Sequence, residues 1–382
     1  MTPFDNTTPS LQRILVVRLD NIGDVIMLGP ALRAMRAAYP KARITLMASP
    51  AGAQAAPMLP WIDDVFVWRA IWQEISPKAQ FDPYEERDLV EYLRLGNYDA
   101  AFIFTSFRQS PYPPAYSAAL AGVPIRVGQS KEFGGQVLTH GYQPPDDETH
   151  QVDRNMALIS SYGIPDQDRT LHLAIEPAAI SRVDKLIANH GLDPNGGFIC
   201  VVPGASCTAR RYPTERYSEV VRGLCEAQPL PVLVLGAEKE KARFQALEET
   251  VSNLMNAVSL IGETSVMEFA EIIRRASVIL ANNSSALHIA DAFSTPMVIL
   301  FSGTDTLSQW QPRKSPSKIL SREVECSPCY LFDCPYQQQC LDVPADEVIA
   351  AVLKLLLPAK PDTGEAVKNL TPHEEILNER TQ

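Results

Sequence analysis

No stretch of this 382-residue chain holds the roughly 20 consecutive apolar residues needed to cross a bilayer. The longest apolar runs, such as residues 297–301, are strand-sized. Residues 1–10 carry no apolar run ahead of a cleavage-like site, so no secretory signal is read there. An excess of positive charge is also missing. Lys and Arg number 34 against 45 Asp and Glu, a net charge of -11, which argues against broad nucleic-acid binding. Short-period repeats are absent, which excludes a solenoid. These absences leave a cytoplasmic protein as the expectation, with room for peripheral contact at an inner membrane.

What is there fits a soluble globular chain. Hydrophobic residues make up 46% and charged residues 21%. The length allows two domains, each with its own core. Local basic pairs (Arg210-Arg211, Arg274-Arg275 and Arg313-Lys314) suit either small anionic ligands or a solvated face.

Apolar runs bounded by turn residues alternate with helical periodicity in two successive blocks. In the first block, strands are expected at 13–18, 44–47, 65–67, 100–104 and 125–128. Helices are expected at 24–38, 84–95, from 116 and at 152–162. Pro30 interrupts or restarts the first helix. The second block repeats the pattern, with strands at 198–202, 232–236, 259–262, 278–281 and 297–301. Its helices fall at 178–190, 214–227, 238–250, 265–275, 285–292 and 345–356. The fold class is therefore α/β, as two doubly wound, Rossmann-like domains facing across a cleft. The expected division is 1–175, 176–357 and a polar, aperiodic tail over 358–382.

Four motifs carry chemistry. The first is Arg18-Leu19-Asp20-Asn21-Ile22-Gly23-Asp24, a strand, a tight turn and a helix start. Asp24 lies just past the carboxyl end of the first strand, where ligands bind in open parallel sheets. It reads either as a first-turn acid favoured by the helix dipole or as a general base. Gly23 and Asn21 complete that turn. The second is the loop Pro203-Gly204-Ala205-Ser206-Cys207-Thr208-Ala209-Arg210-Arg211. Ser206 and Thr208 offer hydroxyls and the two arginines fixed charge, a combination that phosphate groups favour. The plainer alternative is an ordinary βα loop with surface arginines. The third is Asn282-Asn283-Ser284-Ser285-Ala286-Leu287-His288, which opens a helix. It suits helix capping or an anion at the helix N-terminus. The fourth is Cys326, Cys329, Cys334 and Cys340, spaced C-x2-C-x4-C-x5-C. In a reducing compartment four thiolates suggest a structural Zn or Fe ion, or else four reduced cysteines in a loop.

Taken in this order, from about Ile14 to Leu356, the motifs resemble glycosyltransferase family 9, the heptosyltransferases. The resemblance implies the GT-B fold, an amino-terminal acceptor domain and a carboxy-terminal sugar-nucleotide domain. It also implies transfer with inversion and no catalytic metal, from a sugar-nucleotide donor such as ADP-heptose to a cell-envelope glycolipid or oligosaccharide. Carried over by position, Asp24 becomes the general base. Arg210 falls where the family commonly has a phosphate-binding lysine. Ser206 and Thr208 help hold the diphosphate, beside Arg211, and Thr264 falls where the nucleoside is held. Asn283, Ser284, Ser285 and His288 belong to the donor side. Asn283 replaces the family's usual aspartate and Ser285 its glycine, which leaves the donor sugar open. The cysteine cluster is similar to the iron-bearing finger of protein-modifying family members. A sugar-nucleotide epimerase, a non-catalytic sugar-nucleotide scaffold and a protein-modifying heptosyltransferase are the alternatives.

Overall fold

The structure of the chain, a computed structural model, describes residues 10–74 and 78–356. The expected tail at 358–382 lies outside the described residues. Apolar, branched runs become buried strands because parallel sheets are covered on both faces. In the first half these are β1 (Arg13–Arg18), β2 (Arg43–Ala48), β3 (Asp64–Val67), β4 (Ala100–Ile103), β5 (Ile125–Gln129) and β6 (His140–Tyr142). They form one fully parallel sheet in the order β3-β2-β1-β4-β5-β6. The second half supplies β7 (Ile199–Val202), β8 (Val232–Val234), β9 (Ala257–Ser259), β10 (Val278–Asn282), β11 (Met297–Leu300) and β12 (Ser317–Leu320). Their order, β12-β11-β10-β7-β8-β9, is the first sheet's order traced from the opposite edge. Each sheet thus reverses direction beside its first strand, at β1/β4 and at β7/β10. That is where an open α/β sheet leaves a crevice for ligands.

The helices of the first half are α1 (Ile22–Ile26), α2 (Gly29–Ala38), α3 (Pro83–Gly96), α4 (Tyr112–Leu120) and α5 (Gln151–Tyr162). The second half holds α6 (Pro177–Asn189), α7 (Thr214–Ala227), α8 (Gln245–Ser252), α9 (Val266–Arg275), α10 (Ser285–Phe293), α11 (Leu307–Trp310) and α12 (Ala345–Leu356). Pro30 does restart the first helix. It stands in the opening turn of α2, where its missing N–H costs nothing, and α1 ends at Ile26. The helix expected at 238–250 opens instead as a 3-10 turn over Glu238–Phe244 before α8. Sequence reading missed β6 and β12, both short and largely exposed edge strands.

The two halves share apolar packing. Val25 and Ile26 of α1 belong to the same buried cluster as Ala286 and Leu287 of α10. The helix that follows β1 therefore lies directly against the helix that follows β10.

Candidate active site

Asp24 sits in the first turn of α1. Its Oδ2 accepts the Asn21 backbone N–H at 3.2 Å, the capping role expected of a first-turn acid. Its Oδ1 is held from two other directions. Arg18 Nη2 approaches to 2.9 Å and Ser106 Oγ to 3.0 Å. Arg18 ends β1, its side chain is fully buried, and it also donates to Ser106 Oγ at 2.8 Å. Asp20 completes the group. It lies 3.1 Å from Arg18 Nε and accepts from Gln109 Nε2 at 2.5 Å. Burial pushes the Asp20 carboxyl up to about 6, against the pull of Arg18. Asp24 is thus both a helix-cap acid and a partly exposed carboxylate, oriented by a buried arginine at the mouth of the first crevice.

The third motif faces it. A Cβ added at Gly23 would stand 2.8 Å from His288 Cδ2 and 3.5 Å from Ser285 Cα. Only glycine permits that approach of α1 to α10. His288 is buried, its ring centroid 6.4 Å from that of Trp310. Burial lowers it to about 4, helped by His150 and opposed by Asp24, so at neutral pH it is uncharged. Ser284 occupies the N-cap position of α10 but makes no side-chain cap bond, and its buried Oγ has no hydrogen-bond partner.

Asn283 is buried and joined to the next βα loop. Its Oδ1 accepts from Ser302 Oγ at 3.3 Å and its Nδ2 points to Asp305 Oδ2 at 3.4 Å. Asp305 pairs in turn with Arg210 Nη2 at 2.7 Å, while Arg210 Nε donates to Thr304 Oγ1 at 3.1 Å. A carboxylate therefore stands beside Asn283 after all, supplied from the loop after β11. Asn282, also buried, ties the two strand ends together. Its Nδ2 donates to the Pro203 carbonyl at 2.8 Å and its Oδ1 accepts from the Tyr212 N–H at 3.1 Å.

The remaining expected donor residues divide. Ser206 is exposed on the loop after β7, free to meet a ligand. Arg211 Nε donates to the Ala205 carbonyl at 3.1 Å and braces the loop from within. Thr208 is committed elsewhere, because its hydroxyl donates to the Phe332 carbonyl at 2.9 Å and to Asp333. Thr264 stands in the β9–α9 connection, immediately before the capping Ser265 and at the far edge of the sheet from Asn283.

Cys326, Cys329, Cys334 and Cys340 are brought together. They line one cavity of about 20 Å³, with Ala209 and Gly303. All four are free thiols, and Cys334 Sγ accepts backbone N–H groups from Tyr336 at 3.4 Å and Gln338 at 3.3 Å. Among the described residues, no group of three or more His, Cys, Asp or Glu side chains is placed to hold a metal ion. The cluster has the donor chemistry of a thiolate site without a converged ligand set. What the loop does visibly is buttress the loop after β7. The Ala209 N–H donates to the Phe332 carbonyl at 3.0 Å, and Gln338 donates to the Thr208 carbonyl.

The family model of glycosyltransferase family 9 (heptosyltransferase) matches residues 87–339, well over half of the chain. The chain belongs to glycosyltransferase family 9. Lipopolysaccharide heptosyltransferase 2 of Escherichia coli K12 is 27% identical over 298 residues, covering 76% of this chain and 82% of that protein. A protein named putative glycosyltransferase from Haemophilus influenzae is 21% identical over 321 residues, covering 81% of this chain and 89% of that one. Among solved structures, the family 9 glycosyl transferase from Veillonella parvula superposes with a TM-score of 0.73 at 20% identity, over 91% of this chain and 99% of that one. The ADP-heptose lipopolysaccharide heptosyltransferase II of E. coli superposes at 0.69 and 22% identity, over 90% of this chain and 98% of that one. The two parallel sheets are accordingly a GT-B fold. No helix among the described residues is long and apolar enough to cross a membrane.

The candidate site of this family 9 glycosyltransferase includes neighbours to which sequence reading gave no role. Arg18, Asp20, Ser106 and Gln109 surround Asp24, and Thr304 and Asp305 surround Arg210 and Asn283. Arg18 left one signal, a charge closing an otherwise apolar strand. Ser106 and Asp305 left none, because their partners lie 82 and 95 positions away.

Proposed function

We propose that this protein transfers a sugar, heptose from ADP-heptose in the leading form, onto a hydroxyl of a cell-envelope glycolipid or oligosaccharide with inversion. The residues up to 175 supply the acceptor side and those from 176 to 357 the donor side. The observation that carries this reading is the opposition of Asp24, at the crevice of the first sheet, to the Arg210, Asn283 and Ser284 group at the crevice of the second. The α1–α10 contact holds the two together.

The chemistry follows from charge. Asp24 accepts the acceptor hydroxyl's proton as its oxygen attacks the anomeric carbon. The bond from that carbon to the diphosphate breaks on the opposite face, and its electron pair leaves on the diphosphate oxygen. Arg18 and Ser106 hold the base in place for this. Charge gathering on the leaving group meets the Arg210 guanidinium, the exposed Ser206 hydroxyl and the N-terminus of α10, all preorganised. Arg210 supplies its charge through a fork rather than a point, so it favours phosphate oxygens in a fixed orientation. One structural relative, the E. coli heptosyltransferase WaaC, was solved with ADP and superposes with a TM-score of 0.61. That supports a nucleotide carrying a diphosphate.

The structural Zn or Fe ion expected at the four cysteines plays no part in this proposal, since their side chains share a cavity without forming a ligand set. Catalysis is assigned to the protein's own charges. Peripheral contact with a membrane belongs to the acceptor side, should the acceptor be lipid-linked. The deciding experiment incubates the purified chain with ADP-heptose and deacylated lipopolysaccharide core oligosaccharides and follows ADP release and product mass. Transfer that is lost in Asp24→Asn while ADP still binds supports the reading. Full transfer by Asp24→Asn removes the base assignment.

A further inference from the structure

Arg108, in the loop that follows β4, has a φ of 62°, and Tyr330, in the cysteine loop, has a φ of 55°. Both lie in the left-handed region, where a residue with a Cβ is strained and glycine is not. Neither position holds glycine. What the two side chains do there is meet. The Arg108 guanidinium stands over the Tyr330 ring, 3.9 Å from its centroid. An arginine so placed is attracted to the ring face and stacks on it. Backbone strain of this kind persists where the surroundings over-determine it, and it clusters at functional sites.

The position of each residue gives the contact its meaning. Ser106, two residues before Arg108, holds Asp24 at 3.0 Å, and Gln109, one residue after it, donates to Asp20 at 2.5 Å. On the other side, the Tyr330 N–H donates to the Thr304 carbonyl at 2.9 Å, and Thr304 Oγ1 accepts from Arg210 Nε at 3.1 Å. A short line of contacts therefore runs from the candidate base through Ser106, Arg108, Tyr330 and Thr304 to the candidate phosphate-binding arginine. It crosses from the first half of the chain to the second. The α1–α10 contact joins the halves helix to helix, and this one joins them loop to loop. The Tyr330 hydroxyl adds little, since Thr306 Oγ1 lies 3.5 Å away, so the ring is the part that bridges.

We propose that Arg108 and Tyr330 form an interdomain clasp that fixes the distance between Asp24 and Arg210, which makes both of them positioning residues for transfer. This rests on the reading of Asp24 as the base and of Arg210 as a donor-phosphate ligand. Arg108 and Tyr330 act through the loops that carry them, without touching the reacting atoms. Small displacements of a base or a leaving-group partner cost mainly the chemical step.

The test uses the full chain, ADP-heptose and deacylated core oligosaccharide. Arg108→Gly and Tyr330→Gly each remove the contact and relieve the backbone, so denaturation midpoints should hold or rise. In each variant kcat should nevertheless fall about 3- to 30-fold, the scale of one cation–π contact, while calorimetric ADP affinity stays unchanged. Arg108→Lys keeps a cation and Tyr330→Phe keeps a ring, and both should retain most of the rate. The Arg108→Gly, Tyr330→Gly double variant should be no slower than the slower single variant, because the contact is lost only once. Wild-type kcat in both single variants overturns the proposal, as do multiplying losses in the double variant. So does a loss in Tyr330→Phe equal to that in Tyr330→Gly. Hydrogen exchange supplies a readout without turnover. Arg108→Gly should speed exchange of the Cys329 and Tyr330 N–H groups, which bond to the Gly303 and Thr304 carbonyls, although the substitution lies in the other half of the chain. Unchanged exchange there overturns the clasp. If wild type transfers no sugar, the transferase reading fails, and the exchange result alone decides whether the clasp exists.

Discussion

Arg210 and Asp305, 95 residues apart, form an ion pair at 2.7 Å between the loops that follow β7 and β11. The pair sits between Asn283 and Thr304 and is mostly buried, with side-chain exposures of 28% and 11%. It fixes the guanidinium at the carboxyl edge of the second sheet and gives Asn283 a carboxylate neighbour. Replacing Arg210 should therefore act on the donor. Arg210→Gln is expected to weaken ADP binding about 10- to 100-fold, the scale of one charge-assisted contact, and to lower kcat as well. Arg210→Lys should recover binding better than rate, since an ammonium keeps the charge and loses the fork. Calorimetry with ADP, set beside steady-state transfer rates, separates the two effects. An unchanged ADP affinity in Arg210→Gln would remove Arg210 from the donor site.

Asp24 shares Oδ1 between Arg18 and Ser106, so each of those partners should act through orientation. Asp24→Asn keeps the shape and removes the base, with an expected loss of about 100- to 10,000-fold in kcat. Ser106→Ala should cost only about 10-fold, because Arg18 still holds the carboxylate. Arg18→Met leaves two acids without their buried counter-charge and should destabilise the fold by about 3–5 kcal/mol. Transfer rates and denaturant midpoints distinguish these outcomes. A Ser106→Ala variant as inactive as Asp24→Asn would mean that the serine takes part in the chemistry itself.

The contrast between these residues explains what could be read from the chain. The frame was legible because β1, β7, β10 and β11 are apolar runs closed by turn residues, and that pattern is local. Asp24, Arg210 and Asn283 were legible because each lies within a few residues of such a strand end. Asp305 was not, since nothing near it says that Arg210 will arrive. Thr208 shows the converse. Its hydroxyl suits a phosphate, but the cysteine loop returns over more than a hundred residues and takes it through Phe332 and Asp333. The short strands β6 and β12 escaped because His140–Tyr142 and Ser317–Leu320 hold too few apolar residues to announce a strand.

Acid should weaken the fold between about pH 6.5 and pH 4. His150 and His288 are both buried near the interdomain contact, and burial lowers each to about 4 from 6.5. His288 feels Asp24, Asp291 and Arg210, and His150 feels Arg313, Asp153 and Asp291. Each stays neutral in the folded chain through a range in which the unfolded chain binds a proton. Their stabilisation is complete above 6.5 and is lost as pH falls toward 4. Asp20 acts the other way. Its folded value of about 6 lies above the unfolded 3.8, so its penalty is present above 6 and fades toward 4. Two histidines shifted by a similar amount outweigh one such aspartate, leaving a net loss of about 4 kcal/mol across the window. Denaturant midpoints at pH 7, 5.5 and 4.5 check this for wild type. A His150→Gln, His288→Gln double variant should lose less than wild type on acidification, and an equal loss would place the sensitivity elsewhere.

The α1–α10 contact offers the sharpest structural test, because it depends on one missing atom. Gly23→Ala puts a methyl 2.8 Å from His288 Cδ2, inside van der Waals contact, while Ser285 Cα at 3.5 Å leaves no second problem. Gly23 lies in the helical region of α1, so alanine brings no backbone penalty and should favour the helix by about 0.5–1 kcal/mol. The steric term is expected to win, with overpacking of a buried contact costing about 1–3 kcal/mol. Because the same methyl pushes α1 away from α10, transfer should fall further than stability does. Shortening His288 removes the obstacle, so the Gly23→Ala, His288→Ala double variant should be more stable than the sum of the two single changes predicts. A double-mutant cycle on denaturation midpoints reads that coupling. Additive changes would mean that α1 and α10 do not meet through this pair, and the approach of base to donor would then need another support.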